Sequence, residues 1–500
     1  MAMTQQERDE LLAHYQNLLE DIYGGKSWVV ATGVLATMTG YVRMLDELGA
    51  EKILCIAAAK GAGLMPDPEV APDPIILDAG GDTLMTSLRL GMDATANLSP
   101  EHQARVDAFD PDGVAKSIGA IFDDGRPAGG REKFGGRRPE WLALEDKLVV
   151  DAIWEELQIP HAPYRIVESS EDNLLKAAKE LDQGQGTIWV GDNKEGHHGG
   201  GEYLRWIRRD EDRAEAIAFF EAHCDRVRVM PFMEGIPCSI HGFVFPDRVI
   251  TLRPCEMLVL RRPDSNKLHY SSTSTFWDPA PQDREAMREV ASKVGAYMRD
   301  AVDYRGTYTI DGIMTRDGFR PTEINPRFGA ALNTMARSIP ELPLILFNMA
   351  LIEEFDTRDW RSEAFGRMLL ESADAHRAAS AMAIVQTPIE ESRELRLEWF
   401  GGRYRIDPTP VPSDTSVDEQ EDERPAPDVT VVMGPNPVGG YVGLRLDPEH
   451  LPEGEAIAAR VADILALLDR EFALGIGRLE PARDVRREFW ESQSDLSTTS

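Results

Sequence analysis

Between Gly306 and Arg327 the chain reads GTYTIDGIMTRDGFRPTEINPR. Three of its residues, Asp311, Glu323 and Asn325, carry oxygen donors at spacings that bring them together. Two runs of alternating apolar and polar residues flank an Asp-Gly turn, the pattern of a β-hairpin. A three-residue loop of Arg316, Asp317 and Gly318, with Gly318 left-handed, sets the register. Asp311 then lies opposite Glu323, and Thr309 opposite Asn325, all on one face because side chains repeat every two residues. Opposed carboxylates destabilise a sheet by up to about 1 kcal/mol unless something positive stands between them. Two acids and an amide on a half-buried sheet suit a hard divalent cation. Magnesium fits best, because it leaves its remaining positions to water and substrate phosphates.

The run Glu323-Ile324-Asn325-Pro326-Arg327 resembles the E-x-N-P-R signature of the ATP-grasp superfamily. Asp311, twelve positions before Glu323, stands at the place of that family's first metal-binding carboxylate. The resemblance implies ATP as the nucleotide, with magnesium ions (two, or Mn2+ in their place) held by Asp311, Glu323 and Asn325. It also implies that Arg327 meets the transferred phosphoryl group or acyl phosphate. The likeness runs from about residue 140 to about residue 360, and its motif is most specific at the end.

The elements that must position this hairpin can be read along the chain. Trp28 to Gly33 is a buried strand, Met38 to Leu48 a helix closed by Gly49, and Lys52 to Ala58 a second strand, which together suggest a parallel α/β unit. The pattern continues through Ile75-Ile76-Leu77 and Ile118 to Phe122. No G-x-G-x-x-G occurs, so a dinucleotide site is not supported. The resemblance makes this segment a Rossmann-like pre-ATP-grasp domain, residues 1–125. Residues 126–140, rich in Gly, Arg and Pro, are a connector. Trp141 to Leu157 reads as one long amphipathic helix, and by resemblance Lys147 within Glu145-Asp146-Lys147 reaches the ATP phosphates.

The strand Thr187 to Val190 feeds the Gly-rich loop GDNKEGHHGGGEY, whose amides can approach phosphates closely. The family's strand-end lysine is replaced by Gly191, which leaves Lys194 as the nearest substitute. Adjacent His197 and His198 point apart, so they make a poor zinc site. Strands Arg226 to Met230 and Ile236 to Phe245 flank a join where the family holds adenine, so Met230, Pro231, Phe232 and Met233 line the base and Glu234 the ribose. Val249 to Leu260 is another strand pair. Arg253 emerges from it as the cation expected to neutralise charge as the γ-phosphate transfers, with Arg261 second; a strand-edge salt bridge to Glu256 is the alternative for Arg253. Pro281 to Val302 is an amphipathic helix leading into the hairpin. Beyond 365 the pattern becomes a small α+β lobe, residues 365–490, with an acidic, Pro-rich and mobile segment at 408–428, and Gln493 to Ser500 is a polar tail. The fold class is thus α/β and α+β: an ATP-grasp domain at 141–364 between the two smaller parts.

Five hundred residues with 42% hydrophobic and 28% charged content describe a soluble protein of several cores. No run of about eighteen apolar residues suggests a membrane span. Four dispersed cysteines fit reduced thiols in a cytoplasm. The net charge of −32 argues against nucleic acid and anionic membranes. The expected activity is an ATP-dependent ligase joining a carboxylate and an amine through an acyl phosphate, on amino-acid or peptide substrates. A biotin-independent carboxylase and a catalytically silent ATP-binding regulator are the alternatives. Similar enzymes are frequently homodimers, so a homodimer is a further expectation.

Overall fold

The structure is a computed structural model that describes residues 3–120, 125–196, 198–407 and 427–498. Part of the expected strand at Ile118–Phe122, His197 and most of the acidic segment (408–426) lie outside the described residues. The chain divides into two compact units. The first comprises residues 1–138, 335–451 and 463–476, and the second 139–334, 452–462 and 477–500. The sequence segmentation at 125, 140 and 364 follows the order of elements along the chain, whereas these units follow contacts.

In the first unit, β1 (Ser27–Ala31), β2 (Lys52–Ala57), β3 (Ile75–Ile76) and β4 (Lys116–Gly119) form a parallel sheet in the order β3-β2-β1-β4. β1 and β2 read as almost unbroken apolar runs because both of their faces are covered. Val29, Leu54, Ile56, Ile75 and Val106 form the core on one side. The first helix, Gln5–Tyr23, opens on a capping box between Thr4 and Glu7 and buries Tyr15 edge-on against Phe347 and Phe365, with ring centroids 5.2 and 5.9 Å away. The Tyr15 hydroxyl donates to the Trp360 carbonyl, so the ring's polar end is satisfied.

The second unit contains two sheets. The smaller is antiparallel, β5 (Arg165–Glu168), β6 (Thr187–Gly191), β7 (Leu204–Ile207) and β8 (Arg226–Pro231) in the order β5-β8-β6-β7. Helices Glu171–Leu181 and Asp210–His223 cover one of its faces through Leu174, Ala177, Ala216 and Phe220, which pack on Trp189, Val227 and Val229. The larger sheet runs β14-β13-β9-β11-β12, built from β9 (Gly235–Val244), β11 (Cys255–Arg261), β12 (Leu268–Ser274), β13 (Gly306–Thr315) and β14 (Gly318–Asn325). β10 (Val249–Thr251) pairs with the outer part of β9.

Helix Pro281–Val302 lies against β9 and β10. Met287, Ala291, Val294 and Met298 recur at helical spacing and are buried; each large side chain contributes about 1.5–3 kcal/mol by leaving water. Tyr308 enters this layer where Gly242 and Gly295 leave room, since a Cβ on either would stand 2.4–2.5 Å from its hydroxyl. Residues 308 and 310 of β13 therefore face the helix, and 309 and 311 face the other way. In the first unit the chain ends its sheets with β15 (Ala379–Val385), β16 (Arg393–Phe400), β17 (Arg403–Ile406), β18 (Val429–Asn436) and β19 (Gly439–Leu446), paired β15-β19-β18-β16-β17.

Two expectations about helices need correction. Trp141 to Leu157 is broken into Pro139–Leu142, a 3-10 turn at Ala143–Glu145 and a helix at Val150–Glu156. The Asp146 carboxylate accepts from the Leu148 amide at 2.9 Å, a local bond that competes with helix continuation. Gln493 to Thr498, expected as part of a tail, continues helix Val485–Thr498. No helix among the described residues is long and apolar enough to cross a membrane. All four cysteines are free and buried.

Candidate active site

Asp311 does lie opposite Glu323, and Thr309 opposite Asn325. The route to that register differs from the expected one. Thr315 pairs with Gly318, so the loop has two residues, Arg316 and Asp317. The additional residue is Thr322, skipped between the pairs Gly312–Pro321 and Asp311–Glu323. Gly318 has φ +100°, as a residue after a tight turn requires here. The bulged Thr322 is pinned from both sides. Its hydroxyl donates to the Asp311 carbonyl at 3.1 Å, and its own carbonyl accepts from Arg228 Nη1 at 3.0 Å. Bulges at a sheet edge commonly re-aim side chains beside a site.

Cross-strand pairing extends the polar face to β9, where Ser239 stands beside Asp311 and His241 beside Thr309. Asp311 is half-buried, and loss of water pushes its carboxyl up to about 6 against the pull of Arg327 and Lys147. Asn325 Nδ2 donates to Asp311 Oδ2 at 2.8 Å and lies 3.4 Å from Glu323 Oε1, so the amide bridges the two acids. Lys147, in the turn that breaks the expected helix, places its Nζ on Glu323 Oε2. Burial lowers that ammonium to about 8, with Asp311 opposing the shift. The acids thus gather cationic and donor groups around themselves, which is how residues suited to a bound cation behave. Asp311 and Glu323 fit a magnesium ion by their oxygen chemistry, whereas Asn325 presents its Nδ2 to them and its Oδ1 to Arg327, so its amide must turn over to offer the carbonyl oxygen.

If Asp311 is a magnesium ligand, proton and cation compete for it. Its carboxyl becomes neutral as pH falls through about 6, so magnesium affinity should fall below that pH by up to about tenfold per unit and level off above it. Magnesium titrations from about pH 5 to about pH 8 check this, and an affinity unchanged down to pH 5 would remove Asp311 from the ligand set.

Arg327 is held rather than free to swing. Its Nε donates to Glu145 Oε1 at 2.7 Å and its Nη2 to Asn325 Oδ1 at 2.8 Å. Glu145, two residues before Lys147, is buried to 1% side-chain exposure, so the Glu145-Asp146-Lys147 turn locks onto the end of the hairpin at two points. Beneath it Arg228 and Asp151, each 1% exposed, form an ion pair. Burial lowers the Arg228 pKa and raises that of Asp151. Sequence reasoning assigned no role to Glu145, Asp151 or Arg228. Only the charges inside otherwise helical or strand patterns could have drawn attention to them.

The join after β8 carries the residues nominated for the nucleotide. Met230, buried at the end of β8, shares its face with Ile188 of β6 and Trp206 of β7 by register. Phe232 stacks on Trp206 with ring centroids 4.0 Å apart and planes 12° from parallel. Its amide donates to the Gly186 carbonyl, next to buried Pro231 and half-buried Met233. Arg261 grips the Glu234 carboxylate with both Nη atoms and stands 5.1 Å above the Phe232 ring. Trp206 was missed because nothing in LRWI distinguishes an edge-strand tryptophan from core.

Other nominated residues have different partners from those expected. Arg253, 1% exposed, pairs with Asp278 and not with Glu256. Glu256 instead accepts from the Ile457 and Ala458 amides at 2.8 and 3.1 Å, and burial pushes it up to about 8. Lys194 is exposed and tied to Asp225 at 2.8 Å. The expectation of a missing lysine at Gly191 fails on strand alternation. Gly191 shares the helix-covered face with Trp189, where a Cβ would lie 2.4 Å from Cys224 Sγ. The opposite face of β6 carries Ile188 and Val190.

No protein-family model matches the chain, and no curated protein matches it. Solved structures do. The biotin carboxylase domain dimer of 2-oxoglutarate carboxylase from Hydrogenobacter thermophilus, solved with MgADP, ADP and bicarbonate, is similar at TM-score 0.52. It is 12% identical and covers 85% of this chain and 86% of its own. A biotin carboxylase complex from Campylobacter jejuni (TM-score 0.49, 14% identity, 75% and 79% covered) and the L-amino acid ligase of Bacillus licheniformis (0.48, 11%, 85% and 95%) are less alike. The fold assignment rests on the first. The same fold is the one implied by the Glu323–Arg327 signature on its paired strands, and the chain has the ATP-grasp fold.

Proposed function

We propose that this chain is an ATP-dependent ligase that activates a carboxylate as an acyl phosphate and joins it to an amine, with amino acids or peptides as substrates. The observation that carries the reading is the opposition of Asp311 and Glu323 on one sheet face, with Asn325 between them and Lys147 and Arg327 converging on their ends. Asp311, Glu323 and Asn325 would hold magnesium, two ions in the fullest case, with Mn2+ able to substitute. Bound there, the metal supplies charge neutralisation to the β- and γ-phosphate oxygens.

The chain's own residues account for binding and positioning. Met230, Pro231, Phe232 and Met233 line the adenine, and Glu234 takes the ribose. Lys147 offers its ammonium to the phosphates, and Arg253 and Lys194 remain outlying candidates for that role. A substrate carboxylate oxygen attacks the γ-phosphorus as the bond to ADP breaks. The amine nitrogen then attacks the acyl carbon, phosphate leaves, and the nitrogen gives up its proton. Arg327, fixed by Glu145 and Asn325, stabilises charge on the transferring group without reorganising. Positioning supplies most of the rate.

A second reading has one observation in its favour. Ile188 and Val190 leave the site face of β6 without a cation, which suits a nucleotide-binding regulator that does not turn over. The deciding experiment incubates the protein with ATP, magnesium and paired amino acids and measures phosphate release. Release that depends on an amino-acid pair is expected. Dependence on bicarbonate alone would indicate a carboxylase, and tight ATP binding with no release under any pair would favour the regulator.

A further inference from the structure

The stretch Gly477 to Ser492 belongs to the second unit and runs past the join that carries Glu234. Glu480 forms a two-way backbone bridge with Arg261, its carbonyl accepting at 2.8 Å and its amide donating at 3.0 Å. Three residues on, the Arg483 amide donates to Glu234 Oε1 at 3.4 Å. The same segment fastens itself further along. Asp484 Oδ2 accepts from Trp277 Nε1 at 3.2 Å. Arg486 makes a bidentate pair with Asp283, both bonds 2.8 Å, and Trp490 Nε1 adds a third bond to Asp283 at 3.2 Å. Asp283 lies in the first turn of helix Pro281–Val302, so the anchor is a rigid element.

We infer that this C-terminal strap is a positioning element of the nucleotide site, holding the Glu234 carboxylate in place through the backbone of Glu480 behind Arg261 and through the Arg483 amide. This rests on the ribose role proposed above for Glu234. A carboxylate has about four lone-pair sites. Arg261 uses two and the Arg483 amide a third, which leaves one directed acceptor for a sugar hydroxyl. A carboxylate so held gives up little rotamer freedom when a ligand binds, whereas a loose glutamate on a join would have to be ordered by the ligand itself. The strap thus sets how well the site distinguishes a ribose from a sugar without hydroxyls. Arg261 and Arg483 act through Glu234 and are positioning residues.

The test measures binding of ATP and of 2′,3′-dideoxy-ATP to the full-length protein by calorimetry, together with thermal unfolding of each variant. The wild type should prefer ATP by about tenfold or more, the size of one hydrogen bond to a charged group. Glu234→Ala should erase that preference. Arg483→Pro, which deletes the amide hydrogen, should reduce it to about threefold or less. Arg483→Ala, which keeps the amide, should retain most of it. Asp283→Ala removes the acceptor of Arg486 and Trp490 and should weaken the preference without touching the join; it decides the matter if the proline variant does not fold. If Glu234→Ala loses the preference while Arg483→Pro and Asp283→Ala keep it, the strap is overturned and the reading of Glu234 survives. If Glu234→Ala keeps the preference, the ribose role fails and the strap fails with it.

Discussion

Replacing Glu323 by Gln should lower ATP turnover by about 10²–10³-fold while leaving the unfolding temperature within a few degrees of wild type. The change removes one negative charge and nothing of the shape. Asp311 and Asn325 stay on their strand positions, because register is set by backbone pairing and by the bulge at Thr322. Lys147 loses its carboxylate partner, and under the proposed function the cation loses one of two anionic ligands. Losing a single preorganised electrostatic contact at a reacting phosphate costs about 3–4 kcal/mol in the transition state, which sets the factor. Stability changes little for two reasons. Lys147 keeps Asp311 as a nearby carboxylate, so its partly buried ammonium is not left without a counter-charge. Removing one of two opposed acids also relieves repulsion. Phosphate release under saturating ATP and magnesium reads the effect, and wild-type turnover in Glu323→Gln would withdraw the metal assignment.

The largest stability effect should come from Asp151→Ala. Asp151 and Arg228 are each 1% exposed, and Arg228 has the Thr322 carbonyl as its further partner. Without Asp151 the guanidinium is a buried cation with no counter-charge, a loss of about 3–5 kcal/mol. Denaturant unfolding of the second unit should show a lower midpoint with an unchanged slope. The double substitution Asp151→Leu/Arg228→Met should recover much of the loss, because two apolar side chains need no desolvation of charge. A single variant as stable as wild type would mean that water reaches this pair in solution.

Local rules carried the reading of the hairpin. Alternation of two and a turn signal were enough to pair Asp311 with Glu323, although the extra residue was assigned to the loop instead of to Thr322. Local rules failed where partners are distant in sequence. Nothing near Asp151 points to Arg228, and nothing near Glu145 points to Arg327. The helix break at Lys147 was hidden because Asp146 fits a helical pattern as well as it fits the turn it makes. Gly191 was compared with a lysine by position along the strand, whereas the face of the strand decides, and that face is the core of the smaller sheet. Gln493 to Thr498 reads as tail because Leu496 is its one apolar residue, too few to show a helical period, although helix Val485–Thr498 runs through it.

One skipped residue determines more than a local kink. With a two-residue turn and uninterrupted pairing, the partners of Thr309, Ile310 and Asp311 would each be shifted by one, and Asp311 would meet Thr322. Glu323 and Asn325 would then point through the sheet toward helix Pro281–Val302, into the layer of Met287, Ala291, Val294 and Met298, because a slip of one reverses the side to which each residue points. The ribbon's chemistry is therefore a matter of parity: odd and even positions must change roles once, between Pro321 and Glu323. Point substitutions around the turn can be absorbed, but a single-codon insertion or deletion in that short arm keeps every ligand in the sequence and separates them in space.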